Sequence, residues 1–331
     1  MSSHGFAFSL AALIVGAGAV AAQANADEAA LDANDLAVIA NEADPLSVDI
    51  AEYYRRKHGI PAENMIRVRF DASAATMSAK GFNALRAEVT ERTPSHVQAY
   101  ALTWVQPYRV ECMSVTTAFA AGFDPAFCAN QCLPTKLSPY FHSDSRRPFD
   151  DFGWRPTMSV AALDFRRAKQ LIDRGAAAGK GAARGKAYLV ETNDAARNVR
   201  AERYADAKRM VERDIDVEVV HTPALEGRRD VMFYFIGALK VDKIDTNQFV
   251  PGALADHLTS LAGDLTGGKQ MSALRWLEAG ATGSYGTVVE PCNLPGKFPS
   301  VGVVMQRYLA GETLLEAYWK KIGRASCRER V

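Results

Sequence analysis

The sequence predicts an α/β fold, a three-layer sandwich in which a mostly parallel sheet has helices on both faces and carries one cysteine-containing loop insertion. Two observations predict it. Apolar runs of strand length alternate with amphipathic helical patterns along the chain. One run, residues 231–236 (VMFYFI), is apolar throughout, which is typical of a central strand that is covered on both faces.

The first strand–helix–strand unit is expected at residues 36–70. Residues 36–40 (LAVIA) have the length and composition of a strand, and Ser47 is placed to cap a helix that continues to His58. Gly59 and Pro61 end that helix, and residues 65–70 form the next expected strand. This order of elements predicts a right-handed crossover between parallel strands.

The alternation continues to the second half of the chain. The predicted helices are residues 80–91, 160–178 and 204–213, and the predicted strands are residues 97–104, 186–192, 217–221 and 231–236. Residues 36–322 are therefore expected to form one α/β domain with roughly seven strands.

Regular periodicity stops between residues 107 and 156. This segment contains three cysteines and many aromatic side chains, which argue against disorder. We expect an ordered insertion that is pinned by disulfides and packed over one edge of the sheet. His142 and Asp144 lie in it as possible metal ligands, but a solvated loop pair is the simpler interpretation, and no metal site is predicted.

The two ends of the sequence differ from the body. Residues 1–26 combine a short apolar run with alternating alanines, which predicts a cleaved export signal rather than a membrane anchor, and residues 27–35 form a polar spacer. We therefore expect a periplasmic or extracellular protein with no transmembrane span after cleavage. Residues 323–331 (GRASCRERV) resemble a translated sequencing-adaptor tail, so we interpret them as non-native and expect the native C-terminus to be missing.

The net charge and the cysteine count narrow the kinds of partner and of cysteine chemistry that are expected. The formal net charge is +1, with both signs interspersed, which argues against a nucleic-acid partner. Four cysteines lie outside the tail, and this even count favours two disulfides, with the pairing left open. The four are Cys112, Cys128, Cys132 and Cys292. A zinc site at Cys128 and Cys132 is the alternative.

Ligands of open α/β sheets bind beyond the carboxyl ends of the strands. Asn41, Asp44, Ser47 and Trp104 follow predicted strands and are therefore candidates for a ligand-binding rim. The alternative is that Asn41, Asp44 and Ser47 are turn and cap residues.

Residues 271–293 (MSALRWLEAGATGSYGTVVEPCN) are the richest in motifs. They predict a short helix capped by Ser272, a glycine-rich turn and a buried strand at residues 287–289. This arrangement brings Ser284, Tyr285 and Glu290 to the predicted rim. Ser284 does not fit a serine-hydrolase elbow, because that motif needs a strand before the serine and a helix after it.

Asp256 and His257 are the best candidates for chemistry, because an imidazole beside a carboxylate can act as a general base. A helix turn capped by the aspartate is an equal alternative. Cys292 could pair with His257 as a thiolate–imidazole dyad if it is not in a disulfide. Ser260 is the other possible nucleophile.

Several motifs resemble a numbered family of exported bacterial proteins that has no assigned function. They are LAVIAN at residues 36–41, DPLS at 44–47, Tyr53-Tyr54, GIPAEN at 59–64, PGA at 251–253, GATGSYG at 280–286, Glu290-Pro291 and KFP at 297–299. That family usually ends in a Gly-Asp/Glu-Pro-Leu segment, in place of which this chain has GRASCRERV.

More remotely, the order of elements resembles the caspase-like fold of gingipain-type cysteine peptidases. In those enzymes the catalytic His lies in a His-Gly pair after one central strand, and the Cys follows the next. This chain has Gly237-Ala238 and Thr259-Ser260 at those places. The resemblance therefore implies the fold and not the peptidase activity.

We expect a non-peptidase binding or surface-associated module without a cofactor, whose rim binds a small molecule, a peptide or a surface glycan. The alternative is an unconventional hydrolase that uses His257 with Cys292 or Ser260.

Overall fold

The computed structural model describes residues 30–130, 132–178 and 185–321. The predicted signal and the predicted non-native tail lie outside these ranges, so they remain expectations. Within these ranges no helix combines the length and the apolar character needed to cross a membrane.

The described residues form two four-stranded sheets, and both are entirely parallel. The first has the order β2-β1-β4-β7, with β1 at Leu36–Asn41, β2 at Met65–Val68, β4 at Ala99–Leu102 and β7 at Thr157–Ser159. The second has the order β11-β10-β8-β9, with β8 at Lys186–Glu191, β9 at Asp216–His221, β10 at Val231–Gly237 and β11 at Phe249–Leu258. A small mixed sheet joins β3 (Thr76–Met77), β5 (Arg109–Val110) and β6 (Met113–Ser114).

Helices cover both faces of the sheets, which confirms the predicted fold class. They are α1 (Pro45–His58), α2 (Ala79–Arg92), α3 (Val115–Ala121), α4 (Pro148–Phe152), α5 (Phe165–Ala177), α6 (Tyr204–Val211), α7 (Leu274–Ala279), α8 (Val301–Leu309) and α9 (Leu314–Trp319). Successive strand residues point to opposite faces. Val38 of β1 thus packs with α1 and α5, whereas Ile39 packs with α2 and α3.

The second sheet repeats this arrangement. Phe233 and Leu254 pack against α6 and α8, and Tyr234 and Ala255 pack against Trp276 of α7 on the other face. Because both faces of β10 are buried, this strand carries few polar residues, which is why the sequence indicated it strongly.

Three local predictions were wrong. The side chain that caps α1 belongs to Asp44, whose Oδ1 accepts from the Leu46 N–H at 3.0 Å, and not to Ser47. The helix turn offered as the alternative at Asp256 is part of β11. The strand predicted at residues 287–289 is absent, because the Thr287 carbonyl oxygen accepts from the Gly263 N–H at 2.9 Å and the segment crosses a turn instead of joining a sheet.

The predicted disulfides are confirmed, and the structure decides their pairing. Cys112 is bonded to Cys128 inside the insertion, whereas Cys132 is bonded to Cys292, 160 residues away. The second bond fastens the insertion to the segment that follows Glu290. With all four sulfur atoms in disulfides, none of them is a zinc ligand.

Candidate binding cleft between the two sheets

His257 is a buried structural residue that uses both of its ring nitrogens. The indole N–H of Trp276 donates to Nδ1 at 2.9 Å, and Nε2 lies 3.1 Å from the Met271 carbonyl oxygen. Because that oxygen can only accept, the proton of the neutral ring lies on Nε2. Burial lowers the pKa of His257 to about 3. The ring is therefore neutral and has no lone pair left for a substrate.

Asp256 lies on the opposite face of β11 from its neighbour. Its Oδ1 is 2.6 Å from Nη2 of Arg200, and both side chains are at least 95% buried. Nη2 of Arg200 also donates to the Ile236 carbonyl oxygen at 3.0 Å. Burial raises the pKa of Asp256, while Arg200 opposes the rise. Because adjacent strand residues point to opposite faces, Asp256 does not orient the His257 ring.

The two proposed nucleophiles are not joined to His257. The sulfur of Cys292 is bonded to Cys132, so no thiolate is present there. The described residues contain no hydrogen bond between His257 and Ser260, whose carbonyl oxygen accepts from the Thr287 hydroxyl at 2.7 Å. The hydrolase hypothesis thus gains no support from this geometry and stays a prediction.

The candidates at the ends of the first sheet are occupied by local hydrogen bonds. Oγ of Ser47 accepts from the Asn41 N–H at 2.9 Å, and Oδ1 of Asn41 accepts from Ala43 and Phe70. The indole of Trp104 is buried and donates to the Pro107 carbonyl oxygen at 3.1 Å. These side chains stabilise the local turns. Their hydrogen bonds are made within the protein, so this geometry does not support a ligand-binding role for them.

Two other predicted rim residues stabilise the segment after the glycine-rich turn. The exposed Glu290 accepts from the Cys292 N–H at 2.9 Å, and the Tyr285 hydroxyl donates to the Lys297 carbonyl oxygen at 2.8 Å. Burial raises the pKa of that hydroxyl.

No group of three or more His, Cys, Asp or Glu side chains in the described ranges is placed to hold a metal ion.

A cleft of about 1240 Å³ lies between the two sheets. Residues 157–161, which begin with β7, line one side, and residues 282–289 line the other. β7 is the last strand of its sheet, and β11, to which residues 282–283 are bonded, is the last strand of the other. The cleft therefore lies between two sheet edges.

On the edge of β7 that faces away from β4, the Thr157 carbonyl oxygen accepts from the Trp319 indole N–H at 3.0 Å. Tyr100 donates to the Pro156 carbonyl oxygen at 3.0 Å, and Val160 donates to that of Leu102 at 2.7 Å. In a parallel pair only alternate residues bond to a given neighbour. Ser159, which lies between them, thus directs its N–H and carbonyl group to the cleft side.

The opposite edge is less regular, because two adjacent residues bond to β11. The N–H groups of Thr282 and Gly283 donate to the Ala253 carbonyl oxygen at 2.7 and 3.2 Å, and the Ala255 N–H donates to Gly283 at 3.0 Å. Gly283 thus forms a parallel bridge with β11. Ser284, the next residue, lies outside the strands, forms no backbone hydrogen bond to β11 and lines the cleft.

Helices close the cleft above and below. Leu171, Ile172 and Gly175 of α5 line it on one face, and Leu315, Tyr318 and Trp319 of α9 line it on the other. The cleft therefore lies in the layer of the two sheets. Like the strands beside it, it is covered by helices on both faces.

Four buried polar atoms on residues that line the cleft have no hydrogen-bond partner among the described residues. They are Nε1 of Trp154, Oγ of Ser284, the hydroxyl of Tyr318 and Oε2 of Glu312. Tyr318 and Glu312 are 6% and 7% exposed. Each of these atoms is enclosed by the protein, so they mark incomplete hydrogen bonding in the wall of the cleft.

Of the predicted catalytic and rim residues, only Ser284 and Tyr285 line this cleft, together with the predicted disulfide residue Cys112. Ser159, Glu312 and Tyr318 were missed, because β7 is only three residues long and α9 contributes a short amphipathic pattern near the end of the described chain. The GATGSYG motif was the one sequence signal of the site. Its glycines serve close packing: a Cβ on Gly286 would lie 2.3 Å from the Gly263 backbone nitrogen.

Comparison of the chain with protein-family models, with curated proteins and with solved structures finds no match.

Proposed function

We propose that this protein is an exported binding module that takes an extended polypeptide strand into the cleft between its two sheets. The observation that carries the proposal is that β7, at Ser159, and the bridge residue Gly283 beside β11 border one cavity. A strand added there would bond to both edges and join the two sheets into one layer.

The hydrogen-bonding chemistry favours a peptide over a compact small molecule. Open edges present alternating N–H and carbonyl groups at strand spacing, and another backbone is the partner that satisfies such a row. The cavity also exceeds the range of about 300–1,000 Å³ that is usual for small-molecule pockets. Its helical cover supplies apolar side chains on both faces, as a strand in a buried parallel sheet requires.

Export is supported by the two disulfides, which are typical of proteins in oxidising compartments. The caspase-like relationship belongs to the same proposal. Its support is the two parallel sheets with helices on both faces. In this proposal the chain keeps that architecture for binding and does not use a Cys–His dyad.

The test is binding of a labelled nine-residue peptide, rich in valine and threonine and with lysines at both ends for solubility, measured by fluorescence anisotropy. Ser159→Pro removes the N–H that faces the cleft and spares the bonds of β7 to β4. We expect it to weaken binding about fivefold or more, because one backbone hydrogen bond and its geometry are lost.

Ser159→Ala is the matched control, since it removes the hydroxyl and keeps the N–H. We expect it to bind within about twofold of the wild type. Equal binding by the proline and alanine variants, or no binding of the peptide by the wild type, would contradict the proposal.

A further inference from the structure

The two disulfides differ in how far solvent reaches them. Cys132 is exposed and Cys292 is partly exposed, whereas Cys128 is 6% exposed and Cys112 packs with it against the core of the first sheet. Exposed disulfides are the labile ones in proteins, because a thiolate must reach a sulfur atom in order to attack it. The Cys132–Cys292 bond is therefore the one that a reductant meets first.

This bond joins two segments that both line the cleft. Phe127 and Ala129 line it from the insertion, and Val289 and Lys297 line it from the segment that follows the glycine-rich turn. Nζ of Lys297 also donates to the Ala129 carbonyl oxygen at 3.0 Å. The disulfide therefore lies at a junction where two parts of the lining meet.

The insertion is itself fixed to the first sheet. Cys128 is bonded to Cys112, and both pack in the apolar cluster of β4 and α3. Cys132 follows Cys128 by four positions, so this stretch of chain can span at most about 14 Å. The two disulfides in series thus connect the first sheet to residues 284–298 and limit how far the two can separate.

The backbone at Cys292 shows that this junction is constrained. Its φ is +56°, in the left-handed region that residues other than glycine rarely adopt. Such conformations persist where the surrounding structure enforces them. One constraint is the bond from the Cys292 N–H to Oε1 of Glu290 at 2.9 Å, and the other is the disulfide. Breaking the disulfide removes the second constraint.

We infer that Sγ of Cys132 is a site of thiol–disulfide exchange, at which a dithiol reductant releases residues 284–298 of the cleft lining from the insertion. One thiolate of the dithiol attacks Sγ of Cys132, the S–S bond breaks, and Cys292 leaves as a thiolate that takes up a proton. The second thiol of the reductant then displaces Cys132 from the mixed disulfide. The protein gains two electrons and two protons, and the dithiol is oxidised to a disulfide. This exchange is independent of the ligand that the cleft binds.

Limited reduction with dithiothreitol, quenched with iodoacetamide, measures the order in which the cysteines become free. Peptide mass mapping reports each cysteine separately, Cys327 included. We expect Cys132 and Cys292 to be alkylated at least about tenfold faster than Cys112 and Cys128. Equal rates for the two pairs, or faster reduction of the Cys112–Cys128 bond, would overturn the assignment of the exchange site.

Hydrogen exchange of the wild type before and after the same reduction tests the release. The segments on either side of the disulfide contain hydrogen-bonded amides at Lys136, Lys297 and Phe298. We expect these amides to exchange at least about tenfold faster after reduction, while those of β10 are unchanged. Faster exchange in β10 as well would mean that the bond stabilises the whole fold. Unchanged exchange at Lys297 and Phe298 would mean that other contacts hold this segment, and either result overturns the inference.

Cys132→Ser/Cys292→Ser is the matched control, because it lacks the bond and keeps the Cys112–Cys128 disulfide. Without reductant it should exchange at these amides as fast as the reduced wild type, and dithiothreitol should add no further change. Circular dichroism shows whether the variant is folded, and the wild-type comparison decides alone if it is not. A variant that is folded and exchanges like the oxidised wild type would contradict the release.

Discussion

The two faces of β11 differ in how completely their buried polar residues are hydrogen-bonded. On one face, His257 has a partner for each ring nitrogen and lies in an apolar cluster around Trp276. On the other face, Asp256 is paired with Arg200, yet Oδ2 of Asp256 and two nitrogens of Arg200 have no partner among the described residues.

The difference separates a polar side chain with complete hydrogen bonds from a buried ion pair that keeps unpaired atoms. His257 belongs to the first class and therefore contributes to the fold. Buried polar atoms without a partner among the described residues occur on the α9 side, at Asp256, Ser284 and Tyr318, and on the α5 side, at Arg174. Four measurements, from the largest expected effect to the smallest, test this contrast.

The first measurement is the pH dependence of stability. The pKa of His257 is about 3 in the folded protein, against an ordinary value of 6.5. Between these values the unfolded chain binds a proton that the folded protein does not, so stability falls as pH falls from 6.5 to about 3. The expected slope is about 1.4 kcal/mol per pH unit, or about 5 kcal/mol over the window.

Urea titrations at several pH values measure this slope. His257→Phe should lack it, although the variant is less stable at neutral pH because Trp276 loses its acceptor. Equal slopes in both proteins would mean that the ring is not the buried neutral group described here.

The second measurement tests the incompletely bonded face. Asp256→Asn leaves the Arg200 guanidinium buried without a counter-charge, and we expect a loss of about 4 kcal/mol in the free energy of unfolding. Replacing both partners with apolar residues, as in Arg200→Met/Asp256→Leu, should recover most of that loss. A loss below about 1 kcal/mol for Asp256→Asn would show that the pair is reached by water.

The third measurement tests the wall of the cleft. A Cβ on Gly286 would lie 2.3 Å from the Gly263 nitrogen and 2.4 Å from the Ala262 carbonyl carbon. Because these are backbone atoms, Gly286→Ala should cost about 3 kcal/mol by urea unfolding. An unchanged free energy of unfolding would mean that the backbone at Gly286 can move away from Gly263 without cost.

The fourth measurement adds a methyl group where there is room for it, at Gly175 in the helix α5 that covers the cleft. A Cβ on Gly175 of α5 would have its nearest contact at 3.7 Å, to Cγ2 of Thr282, which is an ordinary distance. Gly175→Ala should therefore stabilise the protein by about 1 kcal/mol, because alanine is a better helix former. Destabilisation of that size would indicate that the helix lies closer to residues 282–289 than described.

Most of the fold could be predicted from periodicity alone. The strands at β1, β8 and β10 were found because residues buried on both faces are apolar without interruption. β11 was missed because Asp256 and His257 interrupt its apolar run, and β7 was missed because three residues establish no pattern.

The site was less predictable. Ser284 and Tyr285 were named because of the glycines around them, whereas Glu312 and Tyr318 carry no motif. Their place at the cleft depends on which segments meet in the folded chain, which no local pattern records.

The sequence by itself determined the α/β class, the strands that are buried on both faces and the presence of two disulfides, because each depends on local composition or on a count. The tertiary structure alone decided which cysteines pair, that Asp256 and His257 face opposite sides of one strand, and that two sheet edges border a cleft. Those properties depend on which distant segments become neighbours, and the open edges exist only where strand pairing stops.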